Sequence, residues 1–321
     1  MKIAFQSNQL CERGTEIALF DYAYFNKTIL NNDSIIISQK NRYIPKVLEK
    51  FQKHFPVYFY DNIEDCDSLI EKTKSDIFYS IRYGYKDYLV KNAKNCIHSV
   101  FQCNDPHGDV YAYVSEWLSI NVSGGKIPYV PHMINLPNNN DNMRIELNIP
   151  KNAIVYGRYG GFDTFNIPFV KDAINKIVKE RNDIYFVLVN TASNDLITDD
   201  KIIFLPQIIS LDEKVKYINT CDAMLHARMQ GESFGISLGE FSIKNKPIIT
   251  WNGKNAKEIY NTHQDLAHLD LLGSKGIYYE DFQTVYDILN NFKPDLGVDW
   301  NAYRDFLPTP VMIKFNNVFI K

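Results

Sequence analysis

Cysteine is scarce in this 321-residue chain, and the few cysteines are arranged in a way that excludes two common uses of the residue. There are five, an odd number, and no two of them form a C-x-x-C pair. This argues against a disulfide framework and against a structural zinc site. Apolar runs of the roughly 20 residues that span a membrane are also lacking, as is a signal-peptide core. We therefore expect a soluble, cytoplasmic protein with reduced thiols.

An excess of basic residues is lacking too. The chain has 35 Lys and Arg against 38 Asp and Glu, which gives a formal net charge of -3. Such a chain has no global positive field to attract a polyanion, so we predict no nucleic-acid partner. Hydrophobic residues make up 45% of the chain and charged residues 23%, the composition of a folded globular protein.

Short apolar runs alternate with helical patterns along nearly the whole chain, which predicts parallel sheets joined by crossover helices. In the first half the predicted strands are Ile3–Phe5, Ser34–Ser38, Val57–Tyr60, Ile77–Ser80 and Cys96–Phe101. In the second half they are Ile154–Tyr156, Ile184–Val189, Ile202–Leu205, Ala223–His226 and Pro247–Trp251. The polar run 137–142, rich in asparagine, has linker composition and predicts a domain boundary.

The predicted architecture is an α/β protein with two Rossmann-like, doubly wound domains that face a central cleft. Residues 1–140 would form the N-terminal domain and residues 141–302 the C-terminal domain. Residues 303–321 would pack back on the N-terminal domain as a helix, since apolar residues recur there at helical spacing after two prolines, at Val311, Phe315, Val318 and Phe319.

The most informative stretch runs from 221 to 240, where an apolar strand leads into a polar turn and then a helix. The turn contains Glu232, and the helix begins near Gly235. The amides of Gly235, Ile236 and Ser237 would be unpaired donors at a helix N-terminus, which favours an anion such as phosphate. Glu240 lies about a turn and a half further on, where a carboxylate accepts hydrogen bonds from a sugar diol. The stretch therefore combines groups suited to a phosphate and to a sugar.

This stretch resembles the group 1 glycosyltransferases, family 4 in the sequence classification, whose signature is two glutamates separated by seven residues around a G-F-G or S-F-G turn. Glu232-Ser233-Phe234-Gly235 followed by Glu240 has that spacing. Tyr156-Gly157-Arg158 is similar to the family's G-R after a strand, and Lys246-Pro247-Ile248-Ile249 is similar to its K-P-V-I strand. The resemblance covers most of the C-terminal domain and only the outline of the N-terminal one.

The resemblance implies the GT-B fold and a retaining glycosyltransferase that moves a sugar from a nucleoside-diphosphate sugar, such as a UDP- or GDP-sugar, to a hydroxyl of a carbohydrate or lipid-linked acceptor. Glu232 would contact the donor sugar on its reacting face and Glu240 would hold the ribose hydroxyls. Arg158, with Gly157 beside it, and the helix amides at Gly235 would neutralise the diphosphate. In the mechanism proposed for the family the departing phosphate oxygen takes the acceptor's proton, so neither a protein base, a metal nor a cofactor is implied.

The chain departs from the family at one cation. The family commonly has a lysine about five residues after the arginine, but the run 159–163 contains none. We expect Arg228, just before the glutamate turn, or Arg13, in the first loop of the N-terminal domain, to supply the missing charge. Because fold alone does not fix chemistry, a nucleotide-sugar epimerase, a phosphorylase and a noncatalytic nucleotide-sugar-binding scaffold stay open as alternatives.

The N-terminal domain offers three further candidates. Arg13 and Gly14 lie in the loop that, in the resembled family, approaches the diphosphate and acceptor; the alternative is a tight turn before the next helix. His98 matches by position a histidine that touches the donor sugar in related enzymes; the alternative is a satisfied core residue. Aromatic residues behind this rim would stack on an acceptor sugar or pack in the core, namely Tyr111, Tyr113 and Trp117.

Two other patterns imitate functional motifs. Asp65-Cys66-Asp67 has the D-x-D form of a metal motif, but it precedes a helical pattern, and acidic residues in a first helical turn explain it without a metal. The segment 44–55 places apolar residues on one stripe and lysines elsewhere. We interpret it as a crossover helix packed on its sheet, with weak peripheral contact to an anionic membrane as the alternative.

Overall fold

The structure is a computed structural model that describes residues 1–254, 256–261, 263–295 and 297–321. The chain divides into two units, one formed by residues 1–135 with 305–321 and the other by residues 136–304. The boundaries expected at 140 and 303 differ from this division by a few residues.

Six parallel strands form the sheet of the first unit, in the spatial order β3-β2-β1-β4-β5-β6. The central strand pairs with a neighbour on each side, so Ile3 faces Ser34 on one strand and Ile77 on the other. The chain therefore reverses its direction of travel across the sheet between β1 and β4, as in doubly wound folds. The strands are β1 (Lys2–Ser7), β2 (Asp33–Gln39), β3 (Val57–Tyr60), β4 (Ile77–Arg82), β5 (Lys94–Ser99) and β6 (Val110–Tyr113).

The second unit repeats this plan with a six-stranded sheet in the order β14-β12-β10-β7-β8-β9, and it adds a two-stranded sheet of β11 and β13. Here the reversal falls between β7 and β10, where Tyr156 faces Ala223. The strands are β7 (Ile154–Tyr159), β8 (Ile184–Val189), β9 (Ile202–Leu205), β10 (Ala223–His226), β11 (Gly231–Glu232), β12 (Ile248–Trp251), β13 (Asp265–Leu266) and β14 (Gly276–Tyr279).

Helices connect most of the consecutive strands in both units, which confirms the predicted doubly wound α/β architecture. They are α1 (Gly14–Thr28), α2 (Pro45–Gln52), α3 (Asp65–Thr73), α4 (Glu116–Ser123), α5 (Pro168–Glu180), α6 (Leu211–Thr220), α7 (Ile236–Ile243), α8 (Ala256–Tyr260), α9 (Ala267–Leu272), α10 (Phe282–Asn291) and α11 (Pro308–Phe315). A 3-10 turn, Gly273–Lys275, follows α9, and a π-helical turn, Asn316–Ile320, follows α11.

The returning C-terminal segment completes the core of the first unit. Phe315 stacks on Tyr22 at a ring-centroid distance of 5.1 Å, and Phe319 meets Tyr79 edge-on at 5.2 Å. All four rings are fully buried. The prediction that this segment packs back on the N-terminal domain is confirmed. Its helix begins at Pro308 and ends in the π-helical turn.

Two segments that imitated functional motifs have structural explanations. Asp65 and Asp67 lie in the first turn of α3, and Asp65 Oδ2 accepts hydrogen bonds from the amides of Asp61 and Asn62. The apolar stripe of α2 is buried within the first unit, where the ring of Phe51 meets that of Phe20 at 5.1 Å. This packing explains the amphipathic pattern without a membrane.

Candidate active site

A small cavity opens at the carboxyl ends of β7 and β10. These are the two strands at which the strand order of the second sheet reverses, and ligands of open α/β sheets bind at such a point. The cavity is lined by Arg158, Tyr159, Gly160, Thr164, Met224, His226, Ala227, Arg228, Glu232 and Ser237. The structure thus brings four of the residues predicted from the sequence, Glu232, Arg158, Arg228 and Ser237, to one cavity.

An ion pair of Glu232 and Arg228 forms one wall of this cavity. Arg228 Nη1 donates to Glu232 Oε2 over 2.8 Å, and the second carboxylate oxygen lies 3.4 Å from His226 Nε2. Burial raises the pKa of Glu232, but the positive charge of Arg228 and the hydrogen bond from His226 outweigh it and hold the pKa at about 2. Glu232 is therefore ionised at neutral pH, and its two contacts fix the orientation of the carboxylate.

Two histidines contact Glu232. His226 Nδ1 lies 2.8 Å from Thr250 Oγ1, and the rings of His226 and His268 meet edge-on at 5.2 Å. The backbone amide of Glu232 points at His268 Nδ1 over 3.3 Å, so this nitrogen is the acceptor and the ring proton lies on Nε2. Burial lowers the pKa of His268 to about 3, which keeps the ring neutral. The sequence analysis missed Thr250 and His268, because they come from β12 and α9, far along the chain.

The turn after Glu232 leads directly into the N-terminus of α7. Gly235, at the N-cap position, has φ = 83°, a left-handed conformation that glycine adopts without strain. The turn is held in place by Tyr303, whose hydroxyl donates to the carbonyl of Phe234 over 2.7 Å. The first hydrogen bond within the helix is from the amide of Gly239 to the carbonyl of Gly235, and no described side chain caps the N-terminus. The earlier amides, including those of Ile236 and Ser237, have no intrahelical partner.

Arg158 lies at the cavity, but its guanidinium is buried and already bonded. Nη1 donates to the carbonyl of Asn190 over 2.9 Å and to Thr191 Oγ1 over 2.7 Å. Nη2 donates to the carbonyl of Gly161 and to Thr164 Oγ1, each over 2.6 Å. Burial lowers the pKa of Arg158 to about 10, so it stays charged at neutral pH. In this structure Arg158 holds together the loops after β7 and β8, rather than offering open donors to a diphosphate as expected.

Two further residues expected at the donor site lie behind the cavity lining. A Cβ on Gly157 would come within 2.4 Å of Cys221 Sγ, so close packing against α6 explains this glycine. Glu240 is buried on α7, and its Oε1 accepts a hydrogen bond from Lys214 Nζ over 2.9 Å. Lys214 was not singled out by the sequence analysis. The sequence did contain a signal for this residue. Lys214 lies one turn before Tyr217 and Ile218, so it places a charge on the apolar face of the helix.

The candidates from the first unit have different surroundings. Arg13 is exposed at the N-cap of α1, and Gly14 is the first residue of that helix. His98 is fully buried on β5 with both ring nitrogens engaged, Nδ1 at 2.6 Å from the Tyr79 hydroxyl and Nε2 at 2.8 Å from the carbonyl of Val130. Burial lowers the pKa of His98 to about 4. The structure therefore favours the core role for His98 over the contact with a donor sugar.

Of the two roles expected for the aromatic residues behind the rim, the structure favours packing in the core for Tyr111 and Tyr113. Both are buried on β6, and both hydroxyls donate to the carbonyl of Cys103. Residues on one face of a strand are two apart, and the alternation of tyrosine with smaller residues fits that period.

Exposed aromatic rings instead follow β4 and β5, at the carboxyl edge of the first sheet. The ring of Tyr83 stacks on Tyr85 at 4.9 Å and on Phe101 at 4.7 Å. Tyr83 is 51% exposed and Tyr85 is 62% exposed. Between them Gly84 has φ = 122°, and a Cβ there would come within 2.3 Å of Ser99 Oγ. The loop is thus held close to β5, and we call Tyr83, Tyr85 and Phe101 the aromatic stack.

Among the residues that the structure describes, no group of three or more His, Cys, Asp or Glu side chains is arranged to hold a metal ion. Within the same residues no helix has the length and apolar character needed to cross a membrane.

Comparison with solved structures establishes the fold. A crystal structure of Anabaena HepE in complex with UDP-glucose is 12% identical and matches 99% of this chain and 95% of its own with a TM-score of 0.67. WaaG, a glycosyltransferase involved in lipopolysaccharide biosynthesis, is 10% identical and matches 99% of this chain and 100% of its own with a TM-score of 0.69. The chain has the GT-B fold.

A glycosyltransferase from Rickettsia africae shows the same relationship to this GT-B chain. It is 16% identical and matches 99% of this chain and 94% of its own with a TM-score of 0.65. No protein-family model matches the chain, and no curated protein matches it. At these identities the likeness establishes the architecture, and the chemistry has to be argued from the site itself.

Proposed function

We propose that this GT-B chain is a glycosyltransferase that moves a sugar from a nucleoside-diphosphate sugar to a hydroxyl acceptor with retention at the anomeric carbon. One observation carries the proposal. The cavity at the β7/β10 reversal is bordered by the ionised, oriented Glu232 and by the uncapped N-terminus of α7. A fixed carboxylate beside a cluster of amide donors suits a ligand with both a sugar and a phosphate. The structural similarity to HepE, crystallised with UDP-glucose, supports this ligand class.

Each group has a role in the proposed reaction. The amides at the start of α7 and the hydroxyl of Ser237 would bind the diphosphate, and the positive end of the helix dipole would stabilise the charge that develops as it leaves. Glu232 would accept hydrogen bonds from the donor sugar. Arg228 would hold Glu232 in place. It would also supply the positive charge that the resembled family has in a lysine about five residues after the arginine. Its Nε has no hydrogen-bond partner among the described residues.

The proposed transfer needs no proton acceptor from the protein. The bond from the anomeric carbon to the phosphate oxygen breaks, and the acceptor oxygen bonds to the same face of that carbon. The acceptor's proton moves to the departing phosphate oxygen, so charge and atoms balance. The buried His226 and His268 fit this scheme, because they hold Glu232 rather than exchange protons with a substrate. No metal ion or cofactor is assigned a part.

The aromatic stack supports a carbohydrate as the acceptor or as part of it. Tyrosine rings pack against the apolar face of a pyranose, and the exposed faces of Tyr83 and Tyr85 stand at the carboxyl edge of a parallel sheet, where ligands of such sheets bind. The loop that carries them is fixed, since Ser99 Oγ donates to the carbonyl of Tyr83 and the hydroxyl of Tyr111 donates to that of Gly84. A fixed loop loses little conformational entropy when a ligand binds.

The test is to incubate the purified protein with a panel of UDP- and GDP-sugars and candidate acceptors, and to measure nucleotide release together with nucleotide binding. We expect binding and turnover with at least one donor. Glu232→Gln should lower turnover about 100-fold or more, the effect typical of a lost charge-stabilising contact. The control Glu213→Gln changes an exposed glutamate of α6 and should leave turnover unchanged.

Three outcomes would count against the proposal. Absence of nucleotide binding across the panel would remove its basis. Binding without turnover on any acceptor would identify a noncatalytic nucleotide-sugar-binding protein. Turnover that inverts the anomeric configuration, observed by NMR of the product, would overturn the retaining mechanism.

A further inference from the structure

The loops after β1 and β2 concentrate positive charge in a chain whose net charge is negative. Together the segments 8–13 and 40–46 contain four basic residues and one acidic residue, whereas the whole chain has a net charge of -3. The acidic residue, Glu12, is buried, and Lys40 pairs with Asp61 over 3.4 Å. The other three basic residues are exposed, and we call them the basic rim, namely Arg13, Arg42 and Lys46.

Hydrogen bonds join the two loops beyond the end of the sheet. The amide of Leu10 donates to the carbonyl of Arg42 over 2.9 Å, and the amide of Ile44 donates to the carbonyl of Leu10 over 2.9 Å. Arg42 Nη1 donates to the neutral amide oxygen of Gln39 over 3.1 Å, which orients the guanidinium without cancelling its charge. The loops therefore form one fixed surface.

The third member of the basic rim stands on α2, next to the same loops. Lys50 of this helix lies 3.7 Å from the carboxylate of Glu12, so it balances the one acidic side chain of the two loops. Lys46 lies one turn before Lys50 and shares its helix face. Because Glu12 directly precedes Arg13, Lys46 extends the positive surface from the loops on to α2.

The basic rim lies beside the point at which the strand order of the first sheet reverses. That point is between β1 and β4, and the loops after these two strands form a crevice of the kind in which ligands of open α/β sheets bind. The basic rim follows β1 and β2, whereas the aromatic stack follows β4 and β5. The crevice thus has cations on one side and aromatic rings on the other.

We propose that the acceptor is an anionic carbohydrate, whose sugar ring packs against the aromatic stack and whose phosphate or carboxylate group binds the basic rim. This inference rests on the proposed function, since it names the substrate class of the acceptor. The planar guanidinium groups of Arg13 and Arg42 match the paired oxygens of a phosphate or a carboxylate. Arg13, which the sequence analysis expected near the diphosphate, is thereby assigned to the acceptor.

The experiment compares glucose, galactose and mannose with their 6-phosphates and their uronic acids in a binding titration followed by NMR. The wild type should bind at least one anionic form about 10-fold or more tightly than the uncharged sugar, because hydrogen bonds between charged groups are strong. The double variant Arg13→Gln/Arg42→Gln should reduce this preference to less than about threefold. Its affinity for the uncharged sugar should equal that of the wild type, which excludes a general loss of structure.

Two controls accompany this comparison. Lys53→Gln is the matched variant, because Lys53 directly follows α2 but pairs with the exposed Glu49 over 3.2 Å. It should keep the full preference of the wild type. Raising the NaCl concentration from about 50 to about 300 mM should weaken the binding of the anionic sugars by the wild type and leave that of the uncharged sugars unchanged, since salt screens exposed charges.

Two further probes distinguish a carbohydrate from other anions. Inorganic phosphate should bind less tightly than the preferred sugar phosphate, since it cannot pack against the aromatic stack. Equal affinity for both would overturn the inference. The second probe is flotation with phosphatidylglycerol vesicles. If the wild type floats, the double variant does not, and the sugar panel shows no preference, the basic rim is a membrane surface and the inference is likewise overturned.

Nucleotide binding separates this inference from the proposed function. The double variant should bind UDP and GDP as the wild type does, and weaker binding would assign these arginines to the donor and overturn the inference. If the wild type binds a nucleotide but prefers no anionic sugar, only the inference fails. If the wild type binds no nucleotide, the proposed function fails and the inference fails with it.

Discussion

Removal of Arg228 should destabilise the second unit through the charge that it leaves behind. Arg228 and Glu232 are joined over 2.8 Å, with side chains 27% and 19% exposed. In Arg228→Met the Glu232 carboxylate stays buried, which disfavours its ionised form, and it loses the positive charge that favours that form most. Breaking one partner of a poorly solvated pair is costly because the other charge remains.

The magnitude follows from the pKa of Glu232. The folded protein holds it at about 2 against an ordinary value of 4.5. That difference of 2.5 pH units corresponds to about 3.5 kcal/mol of stability at pH 7, at about 1.4 kcal/mol for each unit. Arg228 makes the largest of the contributions that lower this pKa, so Arg228→Met should lower the free energy of unfolding by ~2 to 3 kcal/mol. A depressed carboxylate pKa stabilises the fold above pH 4.5, and this stabilisation is lost as the pH falls from 4.5 towards 2.

The assay is urea unfolding followed by tryptophan fluorescence in a Trp117→Phe background, which leaves Trp251 and Trp300 as reporters in the second unit. The free energy of unfolding of Arg228→Met should be lower than that of the background protein by ~2 to 3 kcal/mol at pH 7 and by about 1 kcal/mol at pH 3. Arg304→Met, which breaks the exposed pair with Asp299, should change stability little, because solvent screens that pair. A loss below 0.5 kcal/mol, or one that does not change with pH, would refute this account of Glu232.

Three further predictions concern packing, pH and the acceptor. Gly157→Ala should destabilise the second unit by about 1 to 3 kcal/mol, since its Cβ would collide with Cys221 Sγ; urea unfolding of Gly157→Ala with and without Cys221→Ala should show partial rescue. Stability should fall as the pH drops from 6.5 towards 4, because the pKa of His98 is lowered to about 4 in the folded protein and the unfolded chain therefore takes up the proton first. His98→Phe should weaken this pH dependence of the free energy of unfolding, whereas His54→Phe, at an exposed histidine, should leave it unchanged. Tyr85→Ala should raise KM for a carbohydrate acceptor several-fold while the donor affinity stays as in the wild type, and equal effects on both would contradict the acceptor role of the aromatic stack.

The strands were the most predictable part of the fold. Short apolar runs predicted β3, β8, β9 and β10 with the bounds that the structure has. β6 and β14 were missed, because their tyrosines do not distinguish a short buried strand from an aromatic loop. The run Cys96–Phe101 was displaced by two residues, since Lys94 and Asn95 looked like loop residues although they pair in the sheet with Ile77 and Phe78.

The site was predictable in position and less so in its contacts. The spacing of Glu232 and Gly235 marked the turn and the helix start, because a strand end and a helix N-terminus have local signatures. The sequence could not predict whether the guanidinium donors of Arg158 are open to a ligand. One of their acceptors, the carbonyl of Asn190, lies in the loop after a different strand. The partner of Glu240 likewise comes from α6, and such long-range pairing has no signature in the sequence near either residue.

The path of the chain through the first unit has a consequence for its synthesis. Residues 136–304 form a continuous stretch, so that unit can close as soon as it has left the ribosome. The first unit cannot, because the rings of Tyr22 and Tyr79 must wait for Phe315 and Phe319. During translation the earlier-made half would therefore remain open with exposed aromatic surface while the later-made half matures beside it. We therefore expect the first 135 residues to be the part of the chain that depends on chaperones.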